Sequence, residues 1–477
     1  MKLGRIKISV LAMLATGCLA LACGSDDGDA PDNGNTGGKS GSSTGGKGSG
    51  GKSSGGASTG GKSSGSGGDD PGGVAGTGGA NQMDCDIDGP RDEEETLSGD
   101  IDDDLTLTAD TVWKLDGTVW VNEGATLTIE PCTRIEGIKN SSDPAVLVVT
   151  RGAKIHAEGT ANEPILFTSN QAKGQRAAGD WGGVIVLGRA PNNQTTPPVI
   201  EGLNTTDSRK EYGGNDPEDD SGVLKYVRIE FPGFELSANN EVNGLTLGSV
   251  GRGTTLSYIQ VNNSADDGFE WFGGTVNADH LVSNNADDDM FDTDYGYTGT
   301  LTYLFGRHVS PTEADPNGFE SDNQAANFVG PTPVTSPTYD KVTLCGNAGN
   351  NPASRFGMVF RRNAQGAVSN AVVVGFTSAV SLRDSPWDPP SEPVSIESSV
   401  FFDNQSLAAV ASTSRTVEEA EAWFSDTTSN STETPGFTAE DCQGPSGPGA
   451  SVLESGQGAF ADGADWFTGA WIDFSAN

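Results

Sequence analysis

The chain has 477 residues, 34% hydrophobic and 20% charged, with 67 glycines and a formal net charge of −38. So acidic a chain repels DNA, RNA and anionic lipid headgroups, which argues against a nucleic-acid partner and favours divalent cations. Three histidines and no Cys-x-x-Cys pair leave little with which to build a zinc site.

Lys2, Arg5 and Lys7 precede an uncharged apolar run over residues 8–22. The run is shorter than the ~20 residues a spanning helix needs and suits a signal-peptide core. It ends in Ala20-Leu21-Ala22-Cys23 and turns polar at Gly24-Ser25-Asp26-Asp27. That junction resembles a bacterial lipobox, with Ala20 where leucine is usual. Ala15-Thr16-Gly17-Cys18 is a rival, but it would leave residues 19–22 apolar in the mature chain. The resemblance implies a signal peptide over 1–22 and acylation at Cys23, firm because two or three acyl chains are joined. Gly24 rather than Asp after the cysteine implies outer-membrane sorting, with the acyl anchor in outer-membrane lipid and the domain at the cell surface.

Residues 23–80 hold the anchor and a Gly/Ser linker with a recurring Gly-Gly-Lys at Lys39, Lys47, Lys52 and Lys62. This composition buries too little apolar surface to offset its ordering entropy, so a disordered tether of ~40–45 Å reach is expected. Residues 81–477 form the folded domain. Its cysteines, Cys85, Cys132, Cys345 and Cys442, suggest two disulfides in an exported protein, with three connectivities open. Pairing Cys85 with Cys132 and Cys345 with Cys442 would staple the two ends of the domain.

Short alternating runs recur along the domain between Gly, Asn and Asp, as in 125–129 and 146–149; residues 416–424 are the one helical candidate. Lys225-Tyr226-Val227-Arg228-Ile229 matches Ser257-Tyr258-Ile259-Gln260-Val261 and then Asp279-His280-Leu281-Val282-Ser283. The pattern returns at Val342/Leu344, Val372/Val374 and Val400/Phe402. A second ladder keeps step: Asp266-Asp267-Gly268-Phe269-Glu270-Trp271-Phe272, then Asp288-Asp289-Met290-Phe291-Asp292-Thr293-Asp294, then Pro316-Asn317-Gly318-Phe319-Glu320-Ser321-Asp322. Two motifs repeating in phase define two faces of one coil. The predicted fold is all-β, a right-handed parallel β-helix of roughly ten coils stacked at ~4.8 Å. Phe269, Phe291 and Phe319 should be stacked inside, with Met358 continuing the column. Glu270, Asp292 and Glu320 should face outward, with Asp294 and Asp322 in a second outward column.

Residues 117–131 (GTVWVNEGATLTIEP), 151–160 (RGAKIHAEGT), 179–184 (GDWGGV), 265–272 (ADDGFEWF) and 465–471 (DWFTGAW) are similar to a large group of bacterial exported β-helix lipoproteins, pectin-lyase-like in fold. The resemblance covers nearly all of 110–477. It implies fold and location and no particular chemistry.

Parallel β-helices commonly act on polysaccharides, so a polysaccharide lyase or glycoside hydrolase using the acidic ladder is the alternative to a non-catalytic module that binds glycan or matrix. Asp266-Asp267 and Asp287-Asp288-Asp289 resemble the adjacent acids of polygalacturonases, but the Gly-His-Gly and Arg-x-Lys elements have no counterpart. Trp471-Ile472-Asp473 lacks the histidine of the lyase pattern. Carboxylates stacked at ~4.8 Å repel, and calcium with six to eight oxygen ligands would relieve that repulsion. The expected calcium ligands are Asp266, Asp267, Asp287, Asp288, Asp289, Asp292 and Asp294, with Asp216, Glu218, Asp219 and Asp220 in a separate acidic loop. The competing reading is acids chosen for turn geometry.

Overall fold

The computed structural model describes residues 85–477 except 141, 204, 238–239, 313–315, 325–329, 348, 350–353, 385–386, 389–392, 427–428 and 476. The signal peptide, Cys23 and the linker of 23–80 lie outside the described residues.

Twenty-four strands of the described chain form one continuous sheet, wound as a right-handed parallel β-helix. Each coil contributes three runs. The strand Thr255–Asn262 is bent at Tyr258, whose φ is 57°, so its two halves belong to different sides of the barrel. A turn through Asn263 (φ 52°) leads to Phe269–Phe272 on the third side. The bend recurs at Tyr226, His280, Tyr303, Lys341, Asn370 and Ser398, all with φ between 53° and 57°. A single left-handed residue turns the chain sharply there without a loop.

The inner ladder has the expected register. Phe269 pairs with Phe291, Phe291 with Phe319 and Phe319 with Met358. All four are fully buried. The rings of Phe269 and Phe291 lie parallel at 5.4 Å, but Phe319 meets Phe291 edge-on at 5.7 Å. Phe319 stacks instead on Tyr339 at 4.1 Å, across the barrel interior.

The first ladder slips by one residue late in the chain. Val342 and Leu344 pair with Ala371 and Val373, so Val372 and Val374 face outward. Alternation alone could not set this register, because the outer face is apolar as well. The C-terminal segment covers it: Val282, Phe305, Cys345, Val372 and Val374 pack against Phe437, Val452, Phe460, Phe467 and Trp471. Cys345 is bonded to Cys442 within this cover, and Cys85 to Cys132 near the first coils. The helix Val417–Asp426 closes the far end, with Trp423 edge-on to Trp387 at 5.5 Å. The opening strand, Glu93–Ile101, exposes a row of acids along its edge, which discourages edge-to-edge pairing. No described helix is long and apolar enough to cross a membrane.

Two outcomes test this packing. Phe291→Ala should lower unfolding free energy by ~3–5 kcal/mol through lost burial and an unfilled cavity, measured by denaturant titration. Cys442→Ser should cost ~2–5 kcal/mol and speed proteolysis after residue 430 relative to the coils.

Candidate functional site

The acidic ladder lies on the outer face of the third side. Paired positions run Thr246, Glu270, Asp292, Glu320 and Val359, and beside them Phe272 and Asp294, continued by Asp322. Alternation with the inner phenylalanines points these acids out of the barrel, as expected. They are nevertheless not in solvent: Glu270, Asp292 and Glu320 are only 2%, 6% and 5% exposed. Two insertions cover them. The long turn of residues 188–221 folds back so that Ile200, Leu203 and Tyr212 pack on outward Val146, Val148, Ile185, Leu187 and Phe272. The hairpin of Phe234–Ser237 and Asn240–Val242 lies alongside, adding Val242 to the same cluster. Asn240 Oδ1 accepts the Gly202 amide at 2.8 Å, which ties hairpin to turn.

Beneath the cover the carboxylates converge. Single oxygens of Asp266, Asp267 and Asp288 lie within 4.8 Å of one another. So do those of Asp267, Glu270 and Asp292, and those of Asp289, Asp292 and Glu320. Asp267 and Asp292 each belong to two groups, so the three groups form one chain of acids. Five of the seven expected ligands are thereby brought together. Asp287 is not among them, because its two oxygens accept from the Thr312 amide and hydroxyl at 2.7 and 2.6 Å. Asp294 is buried beside the column and accepts the Tyr295 amide at 2.5 Å. Glu270 and Glu320, absent from the expected metal set, complete it.

Turn geometry explains part of this. Asp267 Oδ1 accepts the Asp289 amide at 2.8 Å, Asp289 Oδ1 the Asn317 amide at 2.9 Å, and Asn317 Oδ1 the Phe356 amide at 3.1 Å. One oxygen of each residue thus holds the next coil in register. Asp292 has no such duty: its Oδ1 is buried with no hydrogen-bond partner. A buried, unpaired carboxylate oxygen among acids has a heavy desolvation penalty.

Counter-charge is present at the Glu320 end. Arg361 bonds Glu320 and, at 2.9 Å, Asp322, and Arg362 also reaches Asp322. Burial, then neighbouring acids, pushes Asp267, Glu270 and Asp292 well above the usual carboxylate range. Glu201, brought by the covering turn, is raised in the same way, by burial and then by Glu241 and Asp294. Neither Glu201 nor Glu241 carries a repeat signal, so periodicity could not place them here. The donors are all hard oxygens without His or Cys, the set that suits calcium or magnesium.

Other polar and aromatic groups lie elsewhere. Arg307 donates to the Cys442 and Gly444 carbonyls and to Asn284, away from the acids. Asp220 pairs with Lys154 and Glu218 with Arg252, so two of the four acids of the separate loop are already matched to cations. Asp473 pairs with Arg228. Tyr226, Tyr258, His280 and Tyr303 stack outside the barrel at 4.4, 4.3 and 4.5 Å. Lys225 lies over one end and Lys341 over the other, so the stack offers a sugar no open ring face.

Residues 99–449 match the family model of a pectate-lyase-like β-helix domain. Comparison with curated proteins and with solved structures returns no match.

The raised acids fix the sign of a pH effect. Their folded-state pKa values exceed the unfolded ~3.9–4.3, so the folded chain binds more protons. That stability is full below about pH 4 and is lost as pH rises through the folded values. In chelator, melting temperature should therefore be higher at pH 5 than at pH 8. Asp292→Asn should flatten this slope and raise the melting point at pH 8; an unchanged slope would show that Asp292 is not part of the effect.

Proposed function

The chain belongs to the pectate-lyase-like β-helix domain family, and on that premise we propose a non-catalytic, envelope-anchored module. Cys23 carries the acyl anchor in the outer membrane, residues 24–80 hold the domain off the surface, and the β-helix serves glycan or matrix binding. A divalent cation, most simply calcium, stabilises the acidic column. Asp267, Asp289, Asp292, Glu270 and Glu320 would hold it, and its charge would offset theirs.

The observation that carries this reading is the sealed acidic column. A glycosidase needs a sugar between its two carboxyl groups, and inverting enzymes hold them ~6.5–9.5 Å apart. Here oxygens lie within 4.8 Å of one another inside each of three overlapping trios, and Asp267, Glu270, Asp289, Asp292 and Glu320 are buried. That spacing suits coordination of an ion within a trio, and the burial of these acids works against the approach of a polysaccharide. The alternative, a polysaccharide lyase or glycoside hydrolase, draws support from the family's fold. It requires chain cleavage that Asp292→Asn or Glu270→Gln abolishes.

Two measurements test the module. With a site of ~10⁻⁴ M affinity, 10 mM calcium should stabilise the domain by ~2.7 kcal/mol over chelator, and Asp292→Asn should remove the gain. Identical melting curves with and without calcium would remove the metal and leave the fold intact. Cys23→Ser should move the protein from the membrane to the aqueous fraction and abolish fatty-acid labelling; persistent labelling would transfer the anchor to Cys18.

A further inference from the structure

Apart from the acidic column, an open concavity lies at the edge of the covering turn. It is a surface pocket of about 450 Å³, within the range that holds small ligands. One wall is the stack of turns that follow the first strands of the third side, bringing Asp102, Asn122, Glu123 and Arg151. The other is the covering turn, bringing Arg189, Ser208 and Arg209.

Two of the three arginines of this pocket, Arg209 and Arg151, are held in place before any ligand arrives. Arg209 lies over the Trp120 ring at 4.4 Å and donates to Asp207 at 3.0 and 2.7 Å and to Asn122 at 3.0 Å. Arg151 donates to the Gly213 carbonyl at 3.2 Å and to Glu211 at 3.3 Å. Arg189 bonds Glu123 through one nitrogen, and its remaining N–H groups have no partner among the described residues. Asp102 receives the Asn122 amide on Oδ1 at 2.6 Å, which leaves its second oxygen available. Arg209 and Arg151 are thus held by the scaffold, which limits their share of the ordering entropy of binding, while Arg189 and Glu123 are exposed side chains joined by an ion pair.

Charge decides the ligand class. Three guanidinium groups are matched there by Asp102 and Glu123 in the wall and by Asp100, Asp207 and Glu211 behind it. The surround is thus net negative, in a chain of net charge −38. Each of these guanidinium groups is already paired with a carboxylate, so a uronate or phosphate would gain little from them. A cation would compete with arginines already bonded to the acids. A neutral polyol suits both kinds of group, because each hydroxyl can donate to a carboxylate and accept from a guanidinium.

We propose that this pocket is a binding site for a neutral saccharide, with Arg189, Glu123 and Asp102 as its main hydroxyl contacts. This rests on the glycan-binding reading above and supplies its site and ligand class. The test uses the full chain and immobilised oligosaccharides of glucose, galactose, mannose and N-acetylglucosamine, with trigalacturonate as the acidic comparison. At least one neutral probe should bind more tightly than trigalacturonate. Arg189→Ala and Glu123→Ala, both at exposed side chains, should each weaken that binding at least tenfold while melting temperature stays unchanged. Neutral binding that survives both substitutions would overturn the pocket and leave glycan binding standing. Preference for trigalacturonate would overturn the ligand class. Binding to no probe would remove both readings together.

Discussion

Parallel stacking governs this molecule, because it makes equivalent positions of successive coils nearest neighbours. Whatever side chain a coil carries at one position meets its like ~4.8 Å away in the next. For phenylalanine and asparagine the rule is favourable. Phe269 and Phe291 stack inside, and Asn284 donates to Asn262 at 3.0 Å. For aspartate and glutamate the same rule sets like charges side by side, and the rest of the third side is arranged around that consequence.

The cover and the column act against each other, and rough magnitudes show which prevails. Burying Ile200, Leu203 and Val242 contributes ~1.5–3 kcal/mol each, so the plug is held by ~5–9 kcal/mol. Two ionised carboxylates 4.8 Å apart repel by about 3–4 kcal/mol at an effective dielectric constant near 20. Several such pairs in one chain of acids exceed what the plug supplies. A closed cover therefore disfavours a fully ionised column, in keeping with the raised carboxyl groups of Asp267, Glu270 and Asp292 and with the arginines at Glu320 and Asp322.

Much of the coil was legible because it repeats. The 22-residue step from Phe269 to Phe291 sets inner register, and alternation then fixes Glu270 and Asp292 as outward. Legibility ended where repetition did. Burial of the acids depends on residues 188–221 and on the hairpin at Phe234–Val242, both single insertions whose docking no periodicity encodes. The one-residue slip at Ala371 and Val373 has a related cause. The C-terminal cover makes both faces of that side apolar, so the hydrophobic pattern no longer distinguished inside from outside. The arginine pocket likewise joins turns to an insertion, and its members are far apart in the chain.

Access, rather than residue type, separates structure from chemistry throughout. Ser354 and His308 form a couple that would suggest nucleophilic catalysis, with Oγ and Nδ1 at 2.9 Å. His308 Nε2 faces the Asp288 carbonyl at 3.1 Å and must donate there, which leaves Nδ1 an acceptor beside Ser354 Oγ, whose hydroxyl also lies 2.7 Å from Asn347 Oδ1. Burial pushes the imidazole down to about 3, which keeps it neutral, and both residues are wholly inaccessible. The couple thus braces the backbone of Asp288 without adding positive charge. That neutrality matters at the neighbouring acids. The groups acting on Asp267 are Asp266, Asp289, Glu270 and Asp288, while Arg361 and Arg362 are engaged at Glu320 and Asp322. The end of the column held in register by backbone hydrogen bonds is thus distinct from the end where these guanidinium pairs form. A rigid cluster of buried carboxyl oxygens resembles the hard-oxygen shell of calcium or magnesium more than the setting of a flexible cationic side chain.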